Sequence, residues 1–128
     1  MDRTYLNKLS KEILDACIAV HKAIGPGLLE SVYEACLMHE FKLRGIKAKN
    51  QVVLPLIYKG QEISKDFRID ILVEDEIIIE VKSVDAILPV HEAQIISYLK
   101  LADKKLGFLV NFNVPLMKDG FRRIVNNF

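Results

Sequence analysis

Three things are scarce in this chain: an excess of one charge, cysteine, and long apolar runs. Its 128 residues carry 18 Lys and Arg against 17 Asp and Glu, a formal net charge of +1. A balance this close to neutral gives no global sign of nucleic-acid binding, so any such surface must be a local patch. There are two cysteines, Cys17 and Cys36, both among apolar residues of helical periodicity. Their number and setting support neither a zinc site nor a disulfide framework; they read as buried free thiols suited to a reducing cytosol. No apolar run is long enough to span a bilayer, and the start of the chain lacks a signal-peptide apolar core. Repeats, low-complexity tracts and linkers are absent as well. The expectation is a cytoplasmic protein with one domain over residues 1–128, long enough for a proper core. Apolar content is 51%, on the high side, which leaves room for a homodimer interface without requiring one.

What is present is organised around Arg68 to Lys82, two apolar strands joined by an acidic turn, Glu74-Asp75-Glu76. Phe67, Ile69, Ile71 and Val73 alternate with Arg68, Asp70 and Leu72; Ile77, Ile79 and Val81 alternate with Ile78, Glu80 and Lys82. A turn centred on Asp75 sets Val73 opposite Ile77, Leu72 opposite Ile78 and Asp70 opposite Glu80. Directly opposed residues have Cβ atoms roughly 5 Å apart. Two carboxylates so placed repel, and a divalent cation such as Mg²⁺ or Mn²⁺ would offset that, since both take oxygen ligands. Lys82 shares the face of Glu80. A plainer reading stands beside this one, in which the acids and Lys82 are the wet side of a strand. The run Ile77-Ile78-Ile79 points instead to burial on both sides.

Around the hairpin, a helix is expected over residues 7–24, capped by Asn7 or Ser10 and stopped by Gly25-Pro26-Gly27. His21 in it reads as a surface or packing residue. A second helix runs from about Leu28 to Arg44, with Glu30, Tyr33 and Glu34 along one face. An acid in a first turn suits the helix dipole. That accounts for Glu30 but not for Tyr33 or the preceding glycine. Gln51–Tyr58 is the next strand, with Pro55 marking an edge position or a bulge. A third helix, from Val90 to Ala102 behind Pro89, takes its buried stripe mostly from Ala93, Ile96, Leu99 and Leu101. His91, Gln94 and Tyr98 are candidates for a polar row on it. Leu106–Asn111 is a strand, Asp119-Gly120 a turn, and Phe121–Val125 a last short strand or helical turn. This order predicts an α/β fold: a mixed sheet, an antiparallel three-strand meander plus a crossover strand, flanked by helices.

Asp70 followed by Glu80-Val81-Lys82 resembles the core motif of the PD-(D/E)xK nuclease superfamily, with Ile69 where the family name has proline. Gly27, Glu30 and Tyr33 match the spacing that names the GxxExxY protein family, a branch of it. Gln94 and Tyr98 resemble the Gln-xxx-Tyr helix motif of RecB-type exonucleases. Three motifs in order on the right elements carry far more weight than one acidic pair.

The resemblance implies a restriction-endonuclease-like fold and Mg²⁺- or Mn²⁺-dependent hydrolysis of phosphodiesters, DNA foremost. It implies Glu30, Asp70, Glu80 and Lys82 as catalytic residues, with Glu30, Asp70, Glu80 and the carbonyl of Val81 as metal ligands. Gln94 and Tyr98 would position Lys82 or hold the nucleic-acid backbone. For Tyr33 two roles stay open, orienting Glu30 or contacting the nucleic acid. Among basic residues in the last third, Lys100, Lys104, Lys105, Lys118, Arg122 and Arg123, the first choice for phosphate contact is Lys104 and Lys105. Lysines at a helix end also serve as dipole partners. The alternative is a non-catalytic or partner-dependent nucleic-acid-binding module, and behind it an interaction protein whose acids are surface decoration.

Overall fold

The computed structural model describes residues 2–128. Helix α1 spans Arg3–Ile24, and its cap is Asp2, whose carboxylate accepts the Tyr5 N–H at 2.9 Å. The start therefore lies earlier than Asn7 or Ser10. Ser10 is inside the helix, where its hydroxyl donates back to the Leu6 carbonyl at 2.7 Å. Leu6, Leu9, Ile13, Cys17 and Val20 form the buried stripe. His21 is a packing residue, 8% exposed, with a ring nitrogen 2.8 Å from the Val114 carbonyl oxygen. Helix α2 spans Glu30–Leu43 and buries Tyr33, Leu37 and Phe41, one residue per turn.

Strands β1 (Ala48–Tyr58), β2 (Gln61–Val73) and β3 (Ile77–Lys82) form the antiparallel meander. Helix α3 (Pro89–Ala102) then carries the chain to β4 (Leu106–Asn111), which pairs parallel to β3. A short helix, α4 (Met117–Gly120), stands where a turn was expected, and β5 (Phe121–Val125) closes the sheet antiparallel to β4. The order is β1-β2-β3-β4-β5, a mixed five-stranded sheet. β1 is an edge, and its register shifts beside Pro55, where a missing N–H does least harm.

Both faces are covered. Ile71, Val73, Ile77, Ile79 and Val81 pack with α1 and α2, while Leu72, Ile78 and Leu109 pack with Ile95, Tyr98 and Leu99 of α3. Ile77, Ile78 and Ile79 are all fully buried. Burying each such side chain contributes roughly 1.5–3 kcal/mol. The stripe of α3 differs from the expected one: Ala93, Ile96 and Leu101 are exposed, and Tyr98 lies inward beside Ile95 and Leu99. Apolar residues nearly encircle this helix, so its periodicity does not single out a buried side.

Two contacts hold the segment after β3. Asn111, 3% exposed, donates its amide N–H to the Val84 carbonyl at 3.0 Å and accepts the Val84 N–H at 3.1 Å. Gly120 packs so tightly that a Cβ there would overlap the Asn111 carbonyl oxygen. Gly120→Ala is therefore expected to cost about 1–3 kcal/mol or more, read as a lower urea midpoint. An unchanged midpoint would contradict this packing.

Candidate active site

The hairpin register follows from its pattern. Val73 pairs with Ile77, Leu72 with Ile78 and Ile71 with Ile79. The regular ladder stops there, and side chains take over. The Asp70 N–H donates to Glu80 Oε2 at 2.9 Å, and the Val81 N–H donates to Asp70 Oδ2 at 2.8 Å. Each carboxylate thus binds the backbone of the opposite strand, and the two are held side by side. Each also keeps one oxygen without a hydrogen bond, and among the described residues no unbonded side-chain oxygen is sealed from solvent. Oδ1 of Asp70 and Oε1 of Glu80 are therefore open to a ligand.

Glu80 is 4% exposed. Burial, and then the Asp70 carboxylate, push its carboxyl up to about 8, against the Asp70 N–H and the Lys82 ammonium. Burial likewise raises Asp70, opposed by the Val81 N–H and Lys82. Lys82, half-buried, thus favours the charged form of both acids. Two adjacent carboxylates with free oxygens form a hard donor set of the kind Mg²⁺ or Mn²⁺ takes. A divalent cation would also offset the repulsion and desolvation that raise both acids. The residues present fit such an ion.

Glu30 does not join this pair. It opens α2, and its Oε2 accepts the N–H of Ser83 at 3.0 Å, one residue past Lys82. The Ser83 hydroxyl donates to the Leu28 carbonyl at 2.6 Å. Tyr33 is fully buried and stacks on Phe112 with centroids 4.3 Å apart; its hydroxyl donates to the Gly25 carbonyl and accepts the Leu28 N–H. It has no surface left for a nucleic acid. Gly27 supplies a φ of +91° that the loop needs. Gly27, Glu30 and Tyr33 together fasten the entry of α2 to the exit of β3. Among the described residues, no three His, Cys, Asp or Glu side chains gather closely enough to hold a metal ion.

The helix acid that acts more on the pair is Glu34. It raises both Asp70 and Glu80, whereas Glu30 contributes only a minor part at Asp70. Glu34 accepts the side-chain amides of Gln51 at 2.9 Å and Asn50 at 3.3 Å. Helical spacing places Glu30 and Glu34 on one face, and the motif resemblance assigns a site role to Glu30 alone. No local motif marks Ser83 or Asn111.

Gln94 donates to the Tyr98 hydroxyl at 3.0 Å, on the α3 side of the sheet. Among the described residues, neither hydrogen-bonds to Lys82 or to the two acids. His91 leaves the expected polar row to cap α3, accepting the Leu88 N–H at 3.0 Å. The basic residues of the last third do not converge. Lys104 and Lys105 precede β4, beyond the Ile77 end of β3 and so away from Glu80 and Lys82. Lys104 Nζ lies 4.0 Å from Asp75. Arg122 pairs with Glu92, and Arg123 reaches Asn7.

The model of the PD-(D/E)XK nuclease superfamily matches residues 7–124. No curated protein and no solved structure matches the chain. Among the described residues, no helix is long and apolar enough to cross a membrane.

A raised carboxyl favours folding in its protonated form. Its contribution is complete below the unfolded value of 4.5 and is lost as pH rises through about 8. Without added metal, urea titrations should show stability falling across that window, by up to about 1.4 kcal/mol per pH unit. Glu80→Gln keeps an acceptor for the Asp70 N–H and should flatten that slope. An equal slope in both proteins would show that Glu80 is not the titrating group.

Proposed function

Because the chain belongs to the PD-(D/E)XK nuclease superfamily, we propose that it is a metal-dependent nuclease hydrolysing phosphodiester bonds, with DNA as substrate. The observation that carries this reading is the Asp70–Glu80 pair: two adjoining carboxylates, each fixed through one oxygen and open through the other, with Lys82 beside them. An exposed wet face does not bury a glutamate to 4% next to a second acid.

Asp70 and Glu80 would hold Mg²⁺ or Mn²⁺, with the Val81 carbonyl as a further ligand. A cation bound there supplies polarisation of the phosphoryl oxygens and a lowered pKa for an attacking water. The protein's own groups do the rest. The Asp70 and Val81 N–H groups fix the two carboxylates in place. The Lys82 ammonium stabilises negative charge as it builds on the phosphate oxygens. Tyr98 and Gln94 form the α3 side of the site, and Gln94 is exposed and available to a sugar-phosphate backbone. Glu30 acts at one remove, holding the strand that carries Glu80 and Lys82 through Ser83. This favours the first of the two roles for Tyr33: it sets the loop that presents Glu30. That shared task supports placing the chain in the GxxExxY branch.

Purified protein should nick or degrade DNA with Mg²⁺ or Mn²⁺ and stop when the metal is chelated. Asp70→Ala and Lys82→Ala should each lower the rate by roughly 100-fold or more with folding intact. Wild-type protein that cleaves no DNA or RNA with either metal would replace this reading with that of a non-catalytic binding module.

A further inference from the structure

The superfamily match and the acidic pair say where a phosphodiester would be cut, not how the rest of the polymer lies. The basic residues closest in sequence to one another, in the last third of the chain, are scattered by the fold. A different set converges. A groove of about 990 Å³ runs between the end of α2 and the start of β1; its floor includes Met38, Ile46 and Leu72, and His39, Lys42, Lys47 and Lys49 stand around it with Glu74 and Asp75. His39 and Lys42 are three apart on α2, and Lys47 and Lys49 two apart along the chain entering β1, so each pair shares a face. All four are exposed, and among the described residues none of the three lysines is in an ion pair. The acids are otherwise engaged: Glu74 accepts the Lys47 N–H at 2.8 Å, and Asp75 lies 4.0 Å from Lys104.

A helix dipole accounts for Lys42 in the last turn of α2. It accounts for neither Lys47 nor Lys49. The groove also lies beside the strand that carries Asp70. Lys49 stands across from Leu72, and Leu72 is two residues from Asp70, roughly 7 Å along the strand. Asn50 and Gln51, next along β1, donate their side-chain amides to Glu34. Unpaired cations gathered within two strand residues of an acidic pair proposed to cut phosphodiesters suit a polyanion longer than the bond being cut.

We propose that this groove is a phosphate-backbone track, in which Lys42, Lys47 and Lys49 hold the nucleic acid on one side of the scissile bond. It rests on the nuclease reading for its ligand and direction, but it is a binding claim and is tested without catalysis. The three ammonium groups would meet phosphate as point charges, so the track holds backbone and does not read sequence.

The test is fluorescence anisotropy of a labelled DNA duplex over a range of salt concentrations, in EDTA so that nothing is cut. Three proteins are compared: wild type, K42Q/K47Q/K49Q, and K8Q/K11Q/K22Q, which removes the same charge from the exposed side of α1. The groove variant should bind more weakly, with a log–log salt slope shallower by about 2 to 3. The α1 variant should keep the wild-type slope. A groove variant with the wild-type slope, or an α1 variant that loses as much, overturns the track and leaves the nuclease reading standing. Wild type that binds no duplex at low salt also overturns the track, and the metal-dependent cleavage assay then decides the nuclease reading separately. Should the triple groove variant unfold, Lys49→Gln alone is measured, and its slope should be shallower by about 1; an unchanged slope overturns the track.

Discussion

Two hydrogen bonds at the end of a β-ladder decide how this site is built. Where β2 and β3 stop pairing through their backbones, Asp70 and Glu80 each accept an N–H from the other strand. The exchange solves a backbone problem, because buried N–H groups need partners. It creates an electrostatic one, because it parks two acids together with one nearly out of water. The protein leaves that cost in place. Burial and repulsion hold both carboxyls above their ordinary values, and one oxygen of each stays free. Stored electrostatic strain of this kind is common where a charged ligand is to be bound.

The rest of the molecule keeps the strand ends still. β3 and β4 are buried almost throughout, so Glu80 cannot shift along the sheet without moving the core. Past Lys82 the chain is held from two directions. Asn111 grips Val84 through both of its backbone groups, and Ser83 is held by Glu30 and Leu28. The second hold depends on Tyr33, which is pinned by stacking on Phe112 just beyond β4. The Asn111 carboxamide and the Glu30 carboxylate, about eighty residues apart in sequence, thereby fix the geometry of Glu80, Val81 and Lys82.

Some of this is legible in the sequence, for identifiable reasons. The period of two is strict on both sides of a short acidic turn, so the hairpin has essentially one register, and that register brings Asp70 to Glu80. Pro55 marks the bulge of β1 because it has no N–H to give the ladder, and Gly25 marks the end of α1 because it takes a φ of +70° that other residues rarely adopt. The choice between Glu30 and Glu34 is not legible. Helical spacing puts both on one face, and what separates them is the path of the loop over residues 25–29, set by a contact with Phe112 some eighty residues on. The basic residues of the last third are dispersed for the opposite reason. Arg122 and Arg123 are neighbours in a strand, so they face opposite sides and find Glu92 and Asn7. Lys42, Lys47 and Lys49 look like ordinary surface lysines until the end of α2 is laid beside the edge of the sheet.

The central claim is that one divalent cation replaces one proton between Asp70 and Glu80. Calorimetric titration of Mn²⁺ at about pH 7, in two buffers of different ionisation enthalpy, measures the ion and the proton together. The account predicts binding of one ion by the wild-type protein, with release of close to one proton, and loss of both in Glu80→Gln. Wild-type protein that takes up no ion, or takes it up without releasing a proton and equally well in the variant, would contradict it.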